Sequence, residues 1–366
     1  MKRWMQVLAL AAVLTLVAAS CSKNEGGGGG GSESPSASPS GPAVSVGLAY
    51  DLGGRGDLSF NDSAAAGLDQ AKTDLNITAK ELQPNQGGTN RAELLDLLAS
   101  QGTQLIIGVG FLYGETVCAA AAKYPNVNFG DVDGFINKDT ANCPGAHDLT
   151  SSDNVASLLF AEEQGSFLVG AAAALKSTTG HIGFIGGVDI DLIHKFEAGY
   201  VAGAKQINPD ITVDIKYITQ PPDFGGFNDP AKAKEIAASM YQGGADVVYH
   251  AAGGSGTGLF QAAKEYSDSS GTHVWAIGVD SDQYQTADPE LQPFILTSMI
   301  KRVNVAVYET IKAQVDGNFQ GGYVTFDLAR DGVGYSTSGG FLDDIVPQLE
   351  ELKQKIISGE ITVPTE

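Results

Sequence analysis

Carboxylates, amides, glycines and one phenylalanine gather in short segments that follow runs of apolar residues. One segment reads Asp51-Leu52-Gly53-Gly54-Arg55-Gly56-Asp57-Leu58-Ser59-Phe60-Asn61. Others hold Asp131 with Asp133, the run Gly253-Gly254-Ser255-Gly256-Thr257-Gly258, the run Asp280-Ser281-Asp282-Gln283, and Lys301. Glycines let a backbone approach a ligand closely. Phe60 offers a flat face for stacking, and Asp51 and Asn61 can hydrogen-bond the edge of a flat ring. One ionised carboxylate can accept two neighbouring hydroxyl groups. That chemistry is recognition of a small polar molecule with a planar part. Each segment taken singly has a plainer reading, because turns need Gly, Asp and Asn anyway. Their recurrence at five predicted strand ends is what points to a site.

The elements around them alternate. Strands are expected at 44–50, 77–82, 105–108 and 127–132, with helices at 63–75, 91–100 and 114–124 between them. A long helix is expected over 158–176. Strands then follow at 181–186, 212–218, 247–251 and 275–279, separated by helices at 195–207, 230–242 and 258–266; residues 296–316 start as a strand and continue as a helix. This order implies two doubly wound parallel sheets covered by helices. It describes an α/β, periplasmic-binding-protein type I architecture, in which ligands bind outside the carboxyl ends of the strands, in the cleft between two hinged lobes. Residues 44–152 with about 281–325 are expected to form lobe 1, and 153–280 with about 326–366 lobe 2.

Length and composition agree with two domains. The chain has 366 residues, 43% of them hydrophobic, and a formal net charge of −21. Such a surface opposes binding to nucleic acid or anionic membranes through basic patches. Lys2 and Arg3 precede an apolar run over 7–19, too short to span a bilayer and suited to an export signal. It ends in Ala18-Ala19-Ser20-Cys21, similar to a lipobox, so residues 1–21 read as a lipoprotein signal with Cys21 as the lipidated residue; an ordinary cleaved signal is the alternative. Residues 22–43, with Gly26 to Gly31 and Ser/Pro repeats, read as a flexible tether. Export places the chain in an oxidising compartment. Cys118 and Cys143, 25 residues apart, are then either a disulfide or two free thiols. No histidine stands at zinc-ligand spacing from them, and no metal or cofactor is expected.

Several stretches, in order from about residue 45 to 335, resemble the basic membrane protein family of substrate-binding lipoproteins, which serve ABC importers and include purine-nucleoside receptors. They are Asp57-Leu58-Ser59-Phe60-Asn61, Glu163-Gln164-Gly165-Ser166-Phe167-Leu168-Val169-Gly170, Gly244-Ala245-Asp246-Val247-Val248-Tyr249, Ala252-Gly253-Gly254-Ser255-Gly256, Ile277-Gly278-Val279-Asp280-Ser281-Asp282-Gln283 and Thr297-Ser298-Met299-Ile300-Lys301-Arg302-Val303. The resemblance implies a nucleoside ligand and a permease partner for a monomer anchored on the extracytoplasmic face of the cell membrane. By its implication Phe60 stacks on one face of the base, and Tyr249 or Phe196 on the other. Asp51, Asn61 and Asp133 meet base edges, Asp280 accepts the ribose hydroxyls, Lys301 is a nearby donor, and the Gly253–Gly254 backbone approaches the sugar. Gly253 to Gly258 lacks the Gly-Lys-Ser/Thr ending of a phosphate-binding loop, which favours a nucleoside over a nucleotide. The loop Gly186 to Phe196 departs from the family in its two acids, Asp189 and Asp191, and the loop from Pro221 to Asp229 is placed near the cleft mouth.

Three rivals share parts of this pattern. A sugar or signal-molecule receptor would use the same fold. A nucleoside-processing enzyme would need the pairs Asp131/Asp133 or Asp280/Asp282 to hold a metal or activate water. The five histidines (His147, His181, His194, His250 and His273) are scattered, and no nucleophile elbow occurs. A DNA-binding regulator is opposed by the export signal. A binding protein, not an enzyme, is the expected class.

Overall fold

Runs such as Leu105-Ile106-Ile107-Gly108-Val109, apolar on both faces, can be buried only inside a sheet covered on both sides. Two such sheets form in the computed structural model, which describes residues 42–366. The signal, Cys21 and nearly all of the tether lie outside those residues. In chain order the first elements are β1 (Val44–Ala49), α1 (Phe60–Asp74), β2 (Ile77–Leu82), α2 (Arg91–Ser100), β3 (Leu105–Val109), α3 (Gly114–Lys123), β4 (Asn128–Val132) and β5 (Val155–Phe160). Next come α4 (Glu162–Lys176), β6 (His181–Val188), α5 (Asp191–Ile207), β7 (Thr212–Thr219), α6 (Pro230–Gln242), β8 (Val247–Ala251), α7 (Gly256–Ser270), β9 (Trp275–Asp280) and α8 (Gln283–Thr286). The chain closes with β10 (Ile295–Lys301), α9 (Val303–Val315), β11 (Gly322–Phe326), β12 (Val333–Tyr335) and α10 (Val346–Ile357).

The first sheet has the order β11-β5-β4-β3-β1-β2 and the second β12-β10-β9-β8-β6-β7. All pairings are parallel except β12 on β10. Both sheets therefore reverse direction of winding at the same place, beside their first strand. A crevice opens there at the carboxyl ends of the strands, where open α/β sheets bind ligands. The edge strands β2 and β7 carry partly exposed faces, and the central strands β3 and β8 are wholly buried.

The sheets correct the expected lobe boundaries. Strand β5 belongs to the first sheet, although residues 153–160 were expected in lobe 2; β10 belongs to the second, although residues 295–301 were expected in lobe 1. Lobe 1 is thus β1 to β5 plus α9 and β11. Lobe 2 runs from α4 to β10 and takes up the chain again at β12. The chain crosses at Ala161, at Arg302 and over 327–332. The segment 133–154 is an excursion on lobe 1, held to α3 by the Cys118–Cys143 disulfide, whose Cα atoms are 5.4 Å apart. The expected helix over 158–176 splits at Ala161 into the end of β5 and all of α4.

Candidate functional site

The β1–α1 segment is built around Asp57. Its carboxylate accepts the backbone N–H groups of Ser59 (2.9 Å), Asn61 (2.8 Å) and Asp62 (3.1 Å). These are donors that the first turn of a helix leaves without an internal partner, and satisfying them starts α1 at Phe60, three residues earlier than the apolar spacing suggests. Asn61 is used on both sides of its amide. Its Oδ1 accepts the backbone N–H of Asp51 at 2.9 Å, and its Nδ2 donates to Leu52 O and to Asp57. It forms a wall of the crevice by holding this loop. Asp51 is paired with Arg91 at 2.6 Å, and the Arg91 guanidinium lies over the Tyr113 ring.

Across the crevice, Asp280 ends β9 in a left-handed conformation (φ 64°), as Asp133 does after β4 (φ 66°). Such a backbone is strained for a residue with a Cβ, and aspartate tolerates it better than most. Strain of this kind concentrates where side chains must be aimed. The Ser59 hydroxyl donates to Asp280 Oδ2 at 2.5 Å. Lys301 at the end of β10 donates to Asp133 Oδ2 at 2.6 Å. Ser281 donates to Ser59 O at 3.1 Å, and Gln283 to Leu58 O at 3.1 Å. All four bonds join one lobe to the other, so the cleft is closed.

A cavity of about 580 Å³, counting its mouth, remains between the lobes. Asp51, Phe60, Asn61, Asp133, Phe196, Gly253, Gly254, Asp280 and Lys301 all line it. Lys301, 2% exposed, has its ammonium 5.2 Å from the Phe60 ring centre and 5.5 Å from that of Phe196. The φ of +53° at Gly253 is left-handed, which a residue without a Cβ adopts freely, and a Cβ on Gly254 would lie 3.5 Å from that of Asp57 in the other lobe.

Burial sets the charges. It pushes the Asp280 carboxyl up to about 7, against the opposing pull of Lys301 and the Ser59 hydrogen bond. It pushes Asp133 up to about 6, again against Lys301. For Lys301 burial favours the neutral amine, but the fields of Asp133, Glu162 and Asp280 outweigh it and hold the ammonium charged. One oxygen of Asp133, Oδ1, is buried with no hydrogen-bond partner among the described residues. Asp131, fully buried below, has neither oxygen bonded among the described residues, and burial raises it well above the carboxylate range.

Tyr249 is a correction. It is fully buried, packed 5.1 Å from the Tyr200 ring and 5.5 Å from Phe184, with its hydroxyl 3.3 Å from that of Ser166. Residues two apart in a strand share a face; Ala251 at the strand end reaches the cavity, and Tyr249 lies one layer beneath it. Of the two aromatics left open, Phe196 is the one at the site. Two others stand with it: Phe111, which the sequence reading passed over, and Phe227, in the loop from Pro221 to Asp229 that it placed near the cleft mouth. Phe111 of lobe 1 meets Phe224 and Phe227 of lobe 2 edge-on, at 5.9 and 6.4 Å, and Phe111 and Phe227 line the cavity. Phe111 follows the carboxyl end of β3, so the strand-end rule could have found it.

The model of a family described as ABC transporter substrate-binding protein, PnrA-like (Bmp), matches residues 43–366. The chain belongs to the Bmp family. It is 37% identical to the ABC transporter nucleoside-binding protein BmpA of Lactococcus lactis, over 88% of this chain and 89% of that one. An uncharacterized lipoprotein of Pyrococcus abyssi is 31% identical, over 88% and 84% of the two chains. Among solved structures, an ABC transporter solute-binding protein of Aeropyrum pernix superposes with a TM-score of 0.73 at 32% identity, covering 88% of this chain and 94% of its own. The expected type I periplasmic-binding-protein fold is thereby borne out. Bmp proteins are substrate-binding components of ABC transporters and not enzymes, so this one works with a small-molecule ligand and a transporter permease. His250, next to the cavity-lining Ala251 in β8, fits that class. It is fully buried, bonded to Gln283 Oε1 at 3.0 Å, and burial lowers it to about 4, which keeps it neutral.

Proposed function

We propose that this Bmp protein captures nucleosides, with purines preferred, between its lobes and delivers them to its permease. It does so as a monomer held by lipid on Cys21 to the extracytoplasmic face of the cell membrane. The observation that carries the ligand is the pairing of two lobe-borne rings, Phe60 and Phe196, with buried acids that are only partly satisfied. A base slides between the rings, each stack contributing about 1–3 kcal/mol. Asp133 Oδ1 takes a donor on the base edge, with Asp51 beside it. Asp280 gives up Ser59 or shares it, and accepts the two ribose hydroxyls next to the Gly253–Gly254 backbone. Lys301 favours the charged form of both acids. The name of the Lactococcus relative supports the ligand, and that of the Pyrococcus relative supports the anchor.

The mechanism is hinged capture: ligand binds one lobe, and closure about the three crossings buries it beneath the Phe111–Phe227 mouth. The test is calorimetric titration of unfolded and refolded protein, stripped of carried-over ligand, with nucleosides, free bases, nucleotides and sugars. One-to-one nucleoside binding with silent sugars and nucleotides is expected. Sugar binding with silent nucleosides would overturn the ligand while leaving the transport role. Metabolic labelling with a fatty-acid analogue, lost in Cys21→Ala, tests the anchor.

A further inference from the structure

Lys301 is shared by two carboxylates that belong to different lobes. Asp133 of lobe 1 lies 2.6 Å from its ammonium. On its own lobe, Glu162, the first residue of α4, lies 3.2 Å away with its side chain 1% exposed. The second oxygen of Glu162 is 3.5 Å from Lys195 Nζ and has no hydrogen bond among the described residues. Glu162 is therefore a buried acid held between two lysines, and no ligand role has been given to it.

Its place in the chain gives the contact a mechanical meaning. Glu162 follows the first crossing, at Ala161, and Lys301 precedes the second, at Arg302. The third crossing is tied in as well: the Ala161 N–H donates to Phe326 O at 3.0 Å, and the Arg302 N–H to Gly332 O at 2.9 Å. The Glu162–Lys301 pair thus sits on the hinge, on the lobe 2 side.

We propose that Glu162 is a positioning residue that keeps Lys301 aimed into the cleft and sets the balance between the open and closed forms. This rests on hinged capture as read above. When lobe 1 swings away it takes Asp133 with it, and with Asp133 go the rings of Phe60 and Phe160 that flank the ammonium. Glu162 and Phe196 stay. The Glu162–Lys301 contact lies within lobe 2 and is kept in both forms, so by itself it shifts nothing. What differs is Asp133: on closure it joins the same ammonium, and the negative charge of Glu162 acts against its own. Glu162 therefore weakens the cross-lobe pair and favours the open form. Lys195 draws on the other oxygen of Glu162 and moderates that effect.

The test is single-molecule energy transfer on the full chain without ligand, with dyes carried at exposed positions 97 and 215, one per lobe, through chemistry that avoids thiols. Glu162→Gln is expected to raise the closed-to-open ratio by roughly fivefold or more. Lys195→Met, which frees Glu162 for Lys301 alone, is expected to lower it. Glu162→Asp, which keeps the charge, restores the wild-type distribution. Unchanged distributions in both Glu162→Gln and Lys195→Met, or shifts in the same direction, overturn the proposal. If Glu162→Gln does not fold, Lys195→Met decides, because Lys195 is partly exposed and outside the core. Adding guanosine to the wild type separates the two readings. A wild type that guanosine does not close refutes the nucleoside ligand, and opposite shifts in the ligand-free variants uphold Glu162 even then.

Discussion

Replacing Asp280 with asparagine removes one charge from the cleft at almost constant shape. In the closed form one oxygen of Asp280 accepts the Ser59 hydroxyl at 2.5 Å, and the group borders the cavity. A bound ribose presents two hydroxyl donors, and a hydrogen bond to a charged acceptor contributes about 1.5–3 kcal/mol. Asparagine keeps one carbonyl acceptor and turns a donor toward the second hydroxyl. The net loss is then about 2–3 kcal/mol, so the nucleoside Kd rises roughly 30- to 150-fold. Titration calorimetry at pH 8 reads it. The pH dependence is an independent check. Asp280 has a folded pKa raised to about 7, and its ionised form is the one that accepts both hydroxyls. Wild-type affinity therefore rises as pH increases toward 7 and levels off above it, with proton release on binding near pH 6.5. Asp280→Asn removes that rise. An Asp280→Asn protein that binds nucleosides within about threefold of wild type would show that Asp280 does not hold the sugar.

Phe196→Ala should weaken nucleoside binding about 5- to 150-fold by loss of one stack; a Phe196→Ala protein that binds within about twofold of wild type in the same titration would undo the choice of Phe196 over Tyr249. Removing both cysteines (Cys118→Ala with Cys143→Ala) should cost about 3 kcal/mol in urea unfolding, from a crosslink between residues 25 apart. Affinity should stay unchanged, since neither cysteine lines the cavity. Asp131 has a folded pKa raised well above its unfolded value, so its contribution is most favourable at low pH and declines as pH rises from about 4. Asp131→Asn should therefore gain stability relative to wild type as pH increases from 4 to 7, read from paired melting curves; a constant difference would place the charge elsewhere.

Most of the strands were legible because buried parallel strands are short apolar runs bounded by turns. The junction of β5 and α4 was not. Residues 155 to 161 and the start of α4 carry no glycine or proline to mark the turn, and periodicity cannot separate a buried strand from a buried helix. That lost turn displaced the lobe boundary, since the crossing lies at Ala161. Strand-end position found Asp280, Lys301, Asp133 and Phe60, for the carboxyl ends of strands face the crevice whatever the side chains are. Depth within a strand was harder: Tyr249 is two residues from the end of β8, and only the packed sheet shows that a layer separates it from the cavity. Arg91, Glu162 and Phe111 act through partners far off in sequence, Asp51, Lys301 and Phe227 among them, and no local pattern announces such pairs.

The three crossings also govern when the molecule can be finished. Lobe 1 has five of its strands by Phe160, but α9, which packs on α1 and on β1, β3 and β4, and the edge strand β11 come only with residues 303–326. Lobe 2 in turn waits for β12 and α10. As the chain emerges from a ribosome, neither half can bury its sheet until nearly all of it has been made. Contacts between segments so far apart form slowly. Residues 303–357 complete the two halves in turn, lobe 1 with α9 and β11 and then lobe 2 with β12 and α10, so the order of synthesis leaves both sheets unfinished until the end of the chain.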